Sequence, residues 1–126
     1  MKTYFVYGNL KVNPFILNDT PLPGFEILSW DHESWTEGTL LDLGNDAGFT
    51  PIGHHRVYGQ IWIAKSFEYL RFMEESFGVH SGISSPEKIV VKLEPDTTLE
   101  AITYRLTNIP SDSKIIKDGK WIIKRQ

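Results

Sequence analysis

Cysteine is absent from the 126 residues, which excludes disulfides, thiolate zinc sites, iron–sulfur clusters and thiol nucleophiles together. Long apolar runs are missing too. The stretch 4–7 stops at Gly8, far short of a secretory core or of the roughly 20 residues that span a bilayer. Nor is there an excess of positive charge: 13 Lys and Arg stand against 16 Asp and Glu, a net −3, so nothing global would hold a phosphate backbone. Five cations and two acids do gather in 111–126, and this reads as a solvated strand edge rather than a nucleic-acid arm. The expectation is a soluble, cytoplasmic protein with neither membrane nor nucleic acid as partner.

What is present is the composition of an ordinary folded globule, 40% hydrophobic, 13% aromatic and 23% charged. At this length the chain reads as a single domain over 1–126, large enough for one core without staples. Strand signals outnumber helical ones and come as short runs between glycine, proline and polar clusters: 2–7, 24–30, 36–43, 56–64, 88–93, 99–106 and 120–124. In 57–63, Val57, Ile61 and Ile63 share one face, while Gln60 and Trp62 share the other. Gly59 in the middle of that run marks a bulge or a close backbone approach. Helical spacing is strongest over 66–77, with Ser66 as N-cap and Gly78 past the end. A shorter helix is expected over 13–18, opened by Pro14. Strands without regular strand–helix alternation give an α+β fold class, a small mixed β-barrel of about six strands with one main flanking helix.

On the helix, Phe67, Leu70, Met73 and Phe77 form one apolar stripe that faces the core. Glu74 falls inside that sector, between Phe67 and Leu70, whereas Glu75 lies on the solvent side with Glu68 and Arg71. Glu74 is thereby expected to point into the apolar interior or a cavity within it, where a carboxylate suits general acid–base work; the alternative from periodicity is that it sits at the edge of the stripe and reaches out to water, or accepts a structural hydrogen bond. The first strand ends at Gly8-Asn9-Leu10, a corner whose consecutive backbone N–H groups could hold an anion or simply turn the chain. His54 and His55 diverge as neighbours on the chain, and His32 and His80 have no partner at ligand spacing, so no metal is assigned. Trp30, Trp35, Trp62 and Trp121 are read as packing residues.

Seven stretches in order resemble the γ-glutamylcyclotransferase-like family, in the branch with γ-glutamylamine cyclotransferase and the plant avirulence-induced-gene-like proteins. Tyr4-Phe5-Val6-Tyr7-Gly8-Asn9-Leu10 is similar to its opening strand and Tyr-Gly-(Ser/Thr)-Leu corner. Gly38-Thr39-Leu40-Leu41-Asp42-Leu43-Gly44, Pro51, and Val57-Tyr58-Gly59-Gln60-Ile61-Trp62 resemble its next strands and turn, the last with glutamine where the family has glutamate. Leu70-Arg71-Phe72-Met73-Glu74 falls on its Leu-Asp-x-x-Glu, Ala101-Ile102-Thr103-Tyr104 on a late Ala-x-Val-Tyr strand, and Ile116-Lys117-Asp118-Gly119-Lys120-Trp121 on a Gly-Asp-Trp ending.

The resemblance implies Glu74 as the catalytic acid and base, with Tyr7, Gly8, Asn9, Leu10 and Tyr104 around a small γ-glutamyl substrate. It also implies a lyase or acyltransferase reaction without cofactor that releases 5-oxoproline and a free amine or amino acid. Arg71, Glu75 and Asn9 depart from the pattern, and 77–86 lacks the family's Tyr-x-Arg. That loop keeps a second reading open, a noncatalytic module that binds or sequesters a small ligand. Oligomeric state is not legible in the chain.

Overall fold

The computed structural model describes residues 2–65 and 70–124. Eight strands form one mixed sheet: β1 (Lys2–Val6), β2 (Phe25–Ser29), β3 (Ser34–Asp42), β4 (Ala47–Tyr58), β5 (Gln60–Ala64), β6 (Ser84–Leu93), β7 (Thr97–Leu106) and β8 (Lys114–Ile115). Their order across the sheet is β2-β5-β1-β7-β6-β3-β4, with β8 added beside β3. β1 and β7 run parallel and the remaining pairs antiparallel. One helix is described, α1 (Leu70–Ser76). No helix among the described residues is long and apolar enough to cross a membrane.

The α+β mixed sheet is the expected class, but it is not closed into a barrel. β2 and β4 stand at the two ends of the strand order, and no described ladder joins them. The sheet still curves. Phe5, Leu40, Phe49, Val57, Ile61, Val91 and Ala101, drawn from six strands, meet in one buried cluster on its concave side. Within the β3–β4 ladder the register shifts between Gly38 and Thr39, leaving residues 51–54 looped out. The segment expected as a last strand, 120–124, covers that side as irregular chain instead. Gly119 accepts the Tyr58 N–H at 2.8 Å, and Trp121 joins the concave cluster.

The other face carries a second cluster, in which Tyr4, Val6, Phe25, Trp62, Ala64 and Tyr104 are covered by Val12 and by Met73 of α1. Strand periodicity sends Phe5 and Tyr7 into one cluster and Tyr4 and Val6 into the other, and β1 sits mid-sheet, so both of its faces are buried. Ile61 likewise opposes Trp62 across β5. Gly59 is the close approach its position suggested, since a Cβ there would lie 2.5 Å from the Phe5 ring and 2.6 Å from the Val6 carbonyl. Of the tryptophans, Trp62 and Trp121 are buried and Trp30 packs at the margin of the second cluster. Trp35 instead lies under the Arg56 guanidinium, 4.1 Å from its ring centre.

The short helix expected over 13–18 does not form. Asn13 and Ile16 carbonyls close two successive turns, and the Asn13 side chain caps Phe15. Asn18 then takes a positive φ of 64°, which no helix continues. The second helix is described over Leu70–Ser76, and Ser66, Phe67 and Glu68 lie outside the described residues.

Candidate functional site

α1 crosses the convex face over β1 and β7. Met73 is fully buried there, and the chain leaves the helix through a bond from the Val79 N–H to the Glu74 carbonyl at 2.9 Å. Glu74, one residue on from Met73, reaches the rim of a cleft of about 280 Å³ lined by Lys2, Tyr4, Glu74, Pro86, Glu87, Lys88, Ile102 and Tyr104. The expectation of an interior carboxylate is corrected: 37% of the Glu74 side chain is exposed. Met73 is the α1 residue seated on the sheet, and Glu74, about 100° further round the helix, points to the edge of that contact. His80, assigned no partner from spacing, comes to 3.6 Å from Glu74 because the loop after α1 folds back.

Two hydroxyls face Glu74. Tyr4 and Tyr104 stack with ring planes 7° apart and centres separated by 6.4 Å. Burial raises the Tyr104 pKa well above the ordinary phenol value, with smaller upward contributions from Tyr4 and Glu74. Tyr4 is raised for the same first reason, partly offset by its interaction with Tyr104. Both therefore stay protonated at neutral pH and can donate hydrogen bonds to a group bound beside Glu74.

The other expected site residues lie apart from this cleft. Tyr7 is buried in the concave cluster and its hydroxyl donates to the Tyr104 carbonyl at 2.6 Å, so it ties β1 to β7 rather than forming a wall of the Glu74 cleft. Gly8, Asn9 and Leu10 make one 3-10 turn. Its amide corner already holds a carboxylate, because Asp46 accepts the Asn9 N–H at 2.8 Å and also the Ala47 N–H at 2.7 Å. Gly8 leaves room for it: at φ 75° a Cβ would stand 2.5 Å from the Asp46 oxygen. The Asn9 side chain is occupied as well, donating to the Asn45 carbonyl and accepting from the Trp121 indole and the Lys124 N–H. Leu10 packs at the edge of the second cluster.

Between corner and cleft stands Phe77, 5.1 Å from the Tyr7 ring and 4.9 Å from the Tyr104 ring. Of the six residues singled out from sequence, the structure thus brings Glu74 and Tyr104 together. Lys2, Tyr4, Glu87 and Lys88 were missed. The signal for Lys2, Tyr4 and Lys88 was period two: Lys2 and Tyr4 share a face of β1, Pro86 and Lys88 a face of β6, and these strands flank β7; Glu87 carried no such signal, since the same spacing puts it on the other face of β6.

Searched by sequence, the chain matches no family model and no curated protein. Its fold does match solved structures. YkqA from Bacillus subtilis superposes with a TM-score of 0.68 at 16% identity, over 95% of this chain and 39% of that one, so the chain spans well under half of YkqA. A gamma-glutamyl cyclotransferase gives 0.66 at 21% identity, covering 90% of this chain and 70% of the other. An AIG2-like protein from Mus musculus gives 0.65 at 20%, covering 89% and 81%. The chain accordingly has the γ-glutamyl cyclotransferase-like fold, the one to which its ordered motifs pointed.

Proposed function

We propose that the protein is a γ-glutamylcyclotransferase-type enzyme that converts a small γ-glutamyl amine or peptide into 5-oxoproline and a free amine at the Glu74 cleft. One observation carries this reading: a carboxylate on a helix faces two protonated tyrosine hydroxyls in a hollow of about 280 Å³, on a fold matched by a gamma-glutamyl cyclotransferase. The volume suits an amino-acid-sized ligand rather than a large cofactor.

The reaction is an intramolecular transfer. The α-amine of the substrate attacks its own γ-carbonyl carbon, a C–N bond forms in a five-membered ring, and the original amide C–N bond breaks. Glu74 accepts a proton from the α-ammonium and returns one to the departing nitrogen. Tyr104, with Tyr4 beside it, donates to the oxygen on which negative charge develops. Holding amine and carbonyl together offsets about 7 to 11 kcal/mol of barrier in favourable intramolecular cases, so positioning is the larger share of the work.

A single assay tests the reading. The protein is incubated with γ-glutamyl amines and γ-glutamyl dipeptides and 5-oxoproline is measured. Product is expected from at least one of them and none from Glu74→Gln; absence of product from all of them with the folded parent refutes the enzyme. The alternative, a noncatalytic module that binds a small ligand, is favoured by the Asp46 carboxylate lodged on the Asn9 amide. Its signature is a ligand recovered unchanged and bound equally well by Glu74→Gln.

A further inference from the structure

The cleft is lined by charges of both signs. Glu74 and Glu87 are its carboxylates and Lys2 and Lys88 its ammonium groups, around a floor of Tyr4, Ile102 and Tyr104. Strand register fixes this arrangement. Tyr4 pairs with Ile102 across β1 and β7, and Ile102 pairs with Lys88 across β7 and β6, so the three form one row over neighbouring strands about 5 Å apart. Pro86 and Tyr104 make the next row, toward Glu74. Lys2 lies two residues before Tyr4 and therefore on the same face. Beyond it the cleft continues into an adjoining hollow of about 380 Å³ that again includes Lys2, Lys88 and Ile102.

On a chain whose net charge is −3, Lys88 gives this cleft a local cation one row along the sheet from Pro86 and Tyr104, on the same face as Tyr4 and Ile102. At the Gly8 corner the Asn9 amide is already taken by the Asp46 carboxylate, which a carboxylate ligand would have to displace. Building on the proposed reaction, we infer that the cleft recognises a zwitterionic α-amino-acid head group, Lys88 taking the α-carboxylate and Glu74 the α-ammonium. Lys88 is then a specificity-determining residue. It selects γ-glutamyl compounds over amides of the same length that lack the α-carboxylate, and it orients the head so that the amine lies at Glu74 and the γ-carbonyl at the tyrosines.

The experiment compares L-glutamine, the γ-amide of a zwitterionic head, with 4-aminobutanamide, the same chain without the carboxylate. Binding is followed by NMR for the parent, Lys88→Met and Lys88→Arg, with Lys120→Met as a control outside the cleft. The parent should prefer L-glutamine by about tenfold, a factor typical of one charge-assisted contact. Lys88→Met should bind both amides alike, while Lys88→Arg and Lys120→Met keep the preference. Equal binding of the two amides by the parent, no binding of either, or an unchanged preference in Lys88→Met overturns the inference. Measuring 5-oxoproline from γ-glutamyl substrates on the same samples separates the two claims. Product with a Lys88-independent KM refutes the head-group assignment and leaves the reaction standing; Lys88-dependent preference without product refutes the reaction and leaves the assignment standing.

Discussion

Phe77 lies against Tyr104 with ring planes 17° apart, and its centre is almost as close to Tyr7 as to Tyr104. The ring belongs to both hydrophobic clusters and fills the space between the Gly8 corner and the Glu74 cleft. Phe77→Ala removes that packing and should cost about 2 to 4 kcal/mol, below a fully enclosed phenylalanine because the residue is only partly buried. A urea midpoint measured against Phe77→Leu, which keeps much of the volume, checks this. Turnover should fall with it, since Tyr104 loses the surface that holds its ring; a stability loss below about 1 kcal/mol would refute the wedge.

The course of β1, β3 and β7, the close approach at Gly59 and the placement of Met73 were legible in sequence because each rests on local periodicity or a steric exception, whereas the run 56–64 is divided at Gly59, its first residues ending β4 and the rest forming β5. Glu74 was located on the right face of the right helix but given too deep a position. A helical wheel supplies direction, while depth depends on where the helix crosses the sheet, which is a tertiary quantity. The Gly8-Asn9-Leu10 corner shows a similar limit of local pattern: the group that accepts its Asn9 amide, Asp46, lies 37 residues away in the β3–β4 hairpin. The final strand failed because the segment gives donors to side chains, the Lys124 N–H to Asn9 and the Lys120 N–H to Asp118, in place of a neighbouring strand.

Asp46 separates the two possible homes for a substrate carboxylate. Asp46→Ala leaves the Asn9 and Ala47 amides without their acceptor and should destabilise the fold by about 1 to 3 kcal/mol, whereas Asp46→Asn keeps one oxygen and costs less. The KM for γ-glutamyl substrates should not change, because the Glu74 cleft does not use the corner. A marked fall in KM for Asp46→Ala, measured by 5-oxoproline release, would show instead that the emptied corner accepts the substrate.

Alkaline pH should expose the buried phenols. Tyr4, Tyr7 and Tyr104 all have pKa values raised first by burial, the Tyr7 value further by the Asp46 charge. Above about pH 10 the unfolded chain loses these phenol protons while the folded chain keeps them, so the folded state binds more protons and stability declines as pH rises. Below pH 10 both states hold them and the contribution is complete. A phenolate titration followed by absorbance, with circular dichroism alongside, should show these three tyrosines ionising late and together with unfolding. Early ionisation of all five tyrosines in a still-folded chain would contradict the burial.

Gln60 holds the turn after β1 onto the sheet. It is fully buried, its oxygen accepting the Val12 N–H at 2.9 Å and the Trp62 indole N–H at 3.1 Å, and its amide donating to the Val12 carbonyl at 2.7 Å. The side chain thereby imitates a neighbouring strand for one residue. Gln60→Leu leaves three polar groups unpaired and should cost about 2 to 5 kcal/mol. Gln60→Glu, the residue type in the family pattern, probes the same contact by pH. A carboxylate there keeps both accepted bonds but meets the Val12 carbonyl with a lone pair, and burial disfavours its charge, so its folded pKa lies above the unfolded value of about 4.3. Its stability deficit against the parent should therefore grow as pH rises above about 4 and shrink toward acid pH, where the protonated carboxyl can donate to Val12. Thermal unfolding of parent and variant across pH 4 to 8 measures that difference; a deficit independent of pH would mean that the donor to Val12 is not what position 60 provides.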